Sequence, residues 1–166
     1  MNSWTYAALA ASLPVLAMAP PPGTKVAIFP FQLQDTSLQG AMQAPLPADQ
    51  TRLHLLGTKL RAALVKQGLA PIPLGAAAAQ ADAQNITACG DCDLALAKKL
   101  GAKLSVIAWV QKVSALILNV NVEIRDVATG RVIAGGSADI RGDTNESWTR
   151  GLAFLLQNTL VPDLHR

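Results

Sequence analysis

LSVIAWVQKVSALILNVNVEIRDVATGRVIAGGSADIR, Leu104 to Arg141, is the stretch on which the fold turns. Within it Leu116, Leu118, Val120, Val122 and Ile124 alternate with Ile117, Asn119, Asn121, Glu123 and Arg125, the period of two of a strand with one dry face. Leu104, Val106, Ala108 and Val110 alternate in the same way with Ser105, Ile107, Trp109 and Gln111. Reversals near Val113-Ser114 and at Thr129-Gly130 predict three antiparallel strands, the last over Val132 to Arg141.

Upstream, Lys25 to Gln32 (KVAIFPFQ) reads as one buried strand; Pro30 cannot donate to a ladder, which implies an edge, a bulge or the strand's end. The polar stretch Leu33 to Pro47 is long for a connection, so it is expected to be mobile, with binding of a small ligand as a further possibility. Asp49 is positioned to cap a helix to Gln67 whose Leu53, Leu56, Leu60 and Leu64 form one apolar stripe. Leu69 to Leu74 predicts a short proline-bearing edge strand, Ala76 to Gln84 a short helix, and Asp91 to Leu100 another, closed by Gly101. Asp143 and Glu146 have the spacing of a capping box for a terminal helix over Thr144 to Leu160, with Trp148, Leu152 and Leu155 inward. The order β-α-β-(α)-α-β-β-β-α defines an α/β (α+β) chain: one two-layer or three-layer-like domain with a mainly antiparallel mixed sheet of about five strands packed by about three helices.

A chain of 166 residues, half of them apolar, suffices for one core. Residues 1–19 have an uncharged apolar run, Ala7 to Ala17, closed by Ala17-Met18-Ala19, which is the pattern of a secretory signal peptide; 20–24 are a Pro-rich linker and 25–166 the domain. The expected compartment is the periplasm. If the leader is not cleaved it becomes a membrane tether, the one membrane contact expected. The basic residues are scattered, with only Lys98 and Lys99 adjacent, so a nucleic-acid partner is not expected.

VAIFPF (Val26 to Phe31), Gly101-Ala102 before the central strand and DVATGRV (Asp126 to Val132) occur in the order found in envelope domains related to the TolB amino-terminal domain and the curli-secretion lipoprotein, and the mature chain resembles them. Cys89-Gly90-Asp91-Cys92 and RGDTNESWTRG (Arg141 to Gly151) resemble an uncharacterised family of secreted proteobacterial proteins. The resemblance implies a small α/β domain that works by contact with envelope proteins. The acylated cysteine and pore-building segments of the secretion lipoproteins are not matched, so a pore is not implied.

Cys89 and Cys92 are the only cysteines. Export favours a disulfide between them; a redox-active pair at a helix start is the alternative, although the arrangement of a thioredoxin, with the pair directly after a long strand, is absent. No metal is expected, because a closed zinc site needs four ligands and neither His54 nor His165 is near the pair. Asp139, Asp143 and Glu146 are too few for calcium. His54 lacks a GxSxG serine to activate, and Gly135-Gly136-Ser137 lacks a phosphate-loop pattern; it reads as a place of close backbone approach. Nothing here forms a catalytic signature, and no cofactor is expected. If Leu116 to Ile124 face the helices, Ile107, Trp109, Ile117 and Ile133 face the other way, mixed with Asn119 and Asn121. That half-apolar face is the expected docking surface for an envelope protein or a second copy, unless the Leu33 to Pro47 loop covers it or the outer strands have their faces inverted.

Overall fold

A computed structural model describes residues 19–166; the leader expected over residues 1–19 lies outside them, Ala19 apart. The elements are β1 (Lys25–Ile28), β2 (Gln32–Asp35), α1 (Leu38–Met42), α2 (Pro47–Lys66), β3 (Ala70–Pro71), α3 (Ala76–Ala83), α4 (Cys92–Lys99), β4 (Leu104–Lys112), β5 (Ile117–Asp126), β6 (Val132–Arg141), α5 (Asn145–Leu155), a wide π turn (Leu156–Leu160) and α6 (Val161–Leu164). The six strands form one mixed sheet in the order β3-β1-β4-β5-β6, with β2 paired to β4 beyond the end of β1. β4, β5 and β6 are antiparallel over nearly their whole lengths, while β1, β2 and β3 add parallel pairings.

The stretch expected as one strand over Lys25 to Gln32 is broken at Pro30. Between the pairs Ile28–Val106 and Gln32–Trp109 the first strand advances four residues and β4 only three, so an extra residue bulges out where proline has no N–H to give. The bulge inverts the parity of facing. Val26 and Ile28 before it, and Phe31 and Leu33 after it, all reach the same core.

That first core lies between the sheet and helices α2 and α5. Leu118, Val120, Val122 and Ile124 of β5 meet Leu56, Leu60 and Leu64 of α2 and Trp148, Leu152 and Leu155 of α5, as the alternation requires. Leu116 does not continue the series: it precedes β5 and is exposed. Two glycines let α5 approach the sheet. A Cβ on Gly151 would overlap Ile140 Cγ2, and one on Gly136 would stand 3.0 Å from Thr159 Cγ2; the second is the close backbone approach read from Gly135-Gly136.

Contrary to expectation, the sheet is covered on both faces over β1 and β4. Ala27, Phe29 and Ile107 pack against Ala81 of α3, Ile86, and Leu96 and Ala97 of α4 in a second core. The start of α4 also reaches Arg125 at the end of β5, while farther along β5 and β6 Asn119, Asn121, Ser137 and Asp139 remain at least partly accessible on that face. The Leu33 to Pro47 stretch, expected as a loop, contains most of β2 and the helical turn α1.

Two caps differ from the sequence reading. α2 starts at Pro47 with Leu46 as its cap, and Asp49 is buried inside the first turn. α5 is capped by Thr144, whose hydroxyl accepts from the Ser147 N–H at 3.1 Å. Asp143, one residue earlier, is engaged elsewhere.

Candidate functional site

Charged residues inside this protein are paired and serve the architecture. Lys112, at the end of β4, is 2% exposed. Its ammonium donates to Asp49 Oδ2 at 2.9 Å and to Asp143 Oδ2 at 2.6 Å. Arg52 donates to the other oxygens of the same carboxylates, at 2.7 and 2.9 Å, and stacks over Trp148, whose indole N–H donates to Asp143 at 3.0 Å. Two cations and two anions thus close a ring. Burial works to lower the Lys112 pKa, but the hydrogen bonds and charges of Asp143 and Asp49 outweigh it and hold the group above the ordinary lysine value.

A second cluster anchors the cysteine loop. Cys89 and Cys92 are joined in a disulfide that is half-buried against the second core. Between them Gly90 and Asp91 both have positive φ, +58° and +57°. Asp91 accepts from Arg125 Nη2 at 2.5 Å, and Asp93, buried, accepts from Arg125 Nη1 at 2.9 Å and from Ser105 Oγ at 2.7 Å. The bridge therefore lies at the start of α4, and Asp91 and Asp93 tie that start to β5 through Arg125 and to β4 through Ser105. Among the described residues no group of three or more His, Cys, Asp or Glu side chains is placed to hold a metal.

The expected docking residues do not share one surface. Trp109, Asn119 and Asn121 do lie together on the second face: Trp109 pairs across the ladder with Asn121, and Asn121 donates to Asn119 at 2.5 Å. Ile117 begins β5 and is exposed. Ile107 is buried beneath the α3–α4 layer, so it is no contact residue. Ile133 packs on the other side, against the first core. Its inversion has a cause: Ile124 pairs with Ala134 and Arg125 with Val132, so Ile133 is the extra residue of a bulge and its side chain turns over.

Sequence reading missed an apolar end. Where β4 runs out, the Thr36 N–H donates to Lys112 O at 2.9 Å, bringing α1 beside the β4–β5 hairpin. Leu38 (81% exposed), Met42 (77%) and Leu116 (70%) project there with Val113 and Ile117. Its signal lay in the absence of charge: no Asp, Glu, Lys or Arg occurs from Thr36 to Ala48 or from Val113 to Val122. A groove of about 750 Å³ opens between α2, α3 and the β1–β2 bulge, with Phe31, His54 and Gly57 in its lining.

These features define a small mixed-sheet α/β domain with its second layer clamped by a disulfide and two surfaces left open. The chain belongs to the DUF3280 family, described as a protein of unknown function (DUF2380), which matches residues 24–160. Among solved structures it is similar to the LpoB C-terminal domain from Salmonella enterica (14% identity, 72% of this chain and 84% of that one, TM-score 0.49). It is also similar to the PelC dodecamer from Paraburkholderia phytofirmans (16%, 89% and 91%, 0.48) and to lipoprotein GNA1162 from Neisseria meningitidis (14%, 74% and 83%, 0.46). Each is a likeness of chain path and assigns no role to this protein. No curated protein matches the sequence.

Proposed function

We propose that this is an exported binding or assembly module that acts by contact with another envelope protein. The observation that carries the reading is the apolar end: of the eight large hydrophobic side chains exposed among the described residues, Leu38, Met42, Val113, Leu116 and Ile117 belong to the two segments that the Thr36–Lys112 bond joins at the end of β4. Burying such a side chain is worth about 1.5–3 kcal/mol, and a monomer in water has no use for several of them side by side. From Ile117 the surface runs along β5 onto Asn119, Asn121 and Trp109, an amide and aromatic margin to an aliphatic centre.

The apolar leader pattern and the disulfide support export, and no helix of the described residues is long and apolar enough to cross a membrane. The motif resemblance to TolB-type and curli-secretion-type envelope domains supports a contact role. Cys89 and Cys92 take a structural part in this reading, because Asp91 within the loop they close and Asp93 just after it both pair with Arg125.

The test is a photoreactive amino acid placed in turn at Met42, Leu116 and Val65 in the native envelope. Val65 is exposed near the far end of α2 and serves as control. A protein adduct of one mass shared by Met42 and Leu116, absent from Val65 and lost on Ile117→Asp, is expected. Labelling of lipid alone, or no adduct at either position, would overturn the proposal.

A further inference from the structure

We infer that the groove between α2, α3 and the open edge of β2 receives an extended peptide segment of a partner protein, added as a strand beside β2. The inference rests on the protein-contact reading only for the class of partner, since it uses a different surface.

Among the described residues β2 pairs with β4 alone, and none of them forms a strand on its other edge. Because the Thr36 N–H turns toward β4, the alternation of a parallel ladder turns the N–H and C=O of Leu33 away from it. The position beside that edge is where β3 would run if it were longer. β3 makes its last bond from Ile72 N–H to Val26 O at 3.0 Å; Pro73, Leu74 and Gly75, at φ +53°, then lead the chain off into α3. The sheet therefore offers backbone donors and acceptors along a strand position that the described residues leave open, which is how a strand is added from outside.

The groove has the shape of a strand. Its α2 wall runs from Gln50 to Arg61, roughly 16 Å at the rise of a helix, and takes about five residues of extended chain. Phe31, largely buried in the first core, shows an edge to the groove beside Gly57; His54 and Arg61 stand on one side, Asp82 and Asn85 on the other. Walls on both sides admit one extended chain and exclude the broad edge-to-edge pairing that open strands invite.

Gly57 is the second observation. It lies in the middle of α2 and on the groove, where glycine weakens a helix relative to alanine. A Cβ there would meet only Phe31 Cδ2, at 4.0 Å. This chain's own packing leaves space for a side chain, so the glycine widens the groove without serving the fold. The occupant assigned is a segment with apolar side chains at alternate positions, one set set down on Phe31 and Gly57.

The experiment selects dodecapeptides from a random displayed library on the purified protein. Enriched peptides with apolar residues at every second position are expected. Their affinity falls by about tenfold or more in Gly57→Leu and in Leu33→Pro, which removes the outward N–H without touching the β4 ladder. Exchange of the Leu33 amide slows when peptide is bound. Gly57→Ala serves if Gly57→Leu does not fold: it keeps the fold and weakens binding in the same direction. No enrichment, or peptides indifferent to the Gly57 and Leu33 variants, overturns the inference. Leu33 exchange that slows with protein concentration alone assigns the groove to a second copy and also overturns it. The crosslinks at Met42 and Leu116 are read separately, so the groove and the apolar end can fail independently.

Discussion

Lys112 Nζ lies 2.6 Å from Asp143 Oδ2, and through that contact the last residue of β4 holds the β6–α5 connection in place. The same ammonium reaches Asp49 in the first turn of α2, so three segments distant in sequence meet at one buried charge. Removing one partner of a buried pair leaves the others uncompensated, at a cost of about 3–5 kcal/mol. Arg52 stays to balance part of the charge, so Lys112→Met is expected at the lower end of that range, read from the midpoint of urea unfolding.

The same pair fixes a pH dependence. The folded-state pKa of Lys112 is raised, so its contribution is complete below the unfolded lysine value of about 10.4 and is lost as pH rises through the higher folded value. Lys112→Met should therefore differ from wild type by a constant amount from neutral pH to about pH 10, and the gap should close above it. A gap that closes already between pH 8 and 9, well below the ordinary lysine pKa of about 10.4, would show that the ammonium is not held as described.

What could be read in advance follows from which forces are local. The β5 alternation was legible because the first core demands an apolar residue at every second place. A bulge at Pro30 was one of the three outcomes that the proline implied, while the bulge at Ile133 was not legible, since it inverts facing by one residue and is set by pairing with a neighbour. Lys112 sits at the end of an alternating strand where a charge is ordinarily solvated; only the arrival of Asp49 and Asp143 makes its burial tolerable. Asp143 was misread as a cap for a related reason. Its sequence neighbourhood suits capping, but the tertiary ring claims its carboxylate. The apolar end was in principle visible in its two uncharged runs.

The division of labour between Asp143 and Thr144 can be measured. Thr144→Ala removes an N-cap bond and should cost about 1 kcal/mol, with α5 fraying at its start. Asp143→Ala removes the partner of Lys112, Arg52 and the Trp148 indole, and should cost more than the cap by at least about 1.5 kcal/mol, the worth of a charged hydrogen bond. Equal losses in unfolding midpoint would restore the capping-box reading.

The cysteine bridge closes a very short loop, for which the chain-entropy estimate is about 2 kcal/mol. Cys89→Ser with Cys92→Ser should lower stability by about that amount and leave the sheet intact, because Arg125 still pairs with Asp93. Hydrogen exchange should quicken over Cys92–Lys99 and stay unchanged in β5. Loss of the whole fold on reduction would mean that the second layer depends on the bridge alone.

Two glycines on helices that cover the first core should respond to alanine with opposite signs. At Gly151 the added methyl overlaps Ile140 Cγ2, a contact that forces α5 away from β6; overpacking of this kind costs about 1–3 kcal/mol. At Gly57 the nearest atom is 4.0 Å away, and the helix gains up to about 1 kcal/mol from the better helix former. Thermal unfolding of Gly151→Ala, Gly57→Ala and Gly151→Ala with Ile140→Leu, which removes the Cγ2 branch, distinguishes packing from propensity. The Ile140 change relieves the Gly151 loss only if α5 is seated on that side chain, and a gain at both glycines would mean that α5 stands farther from the sheet than described.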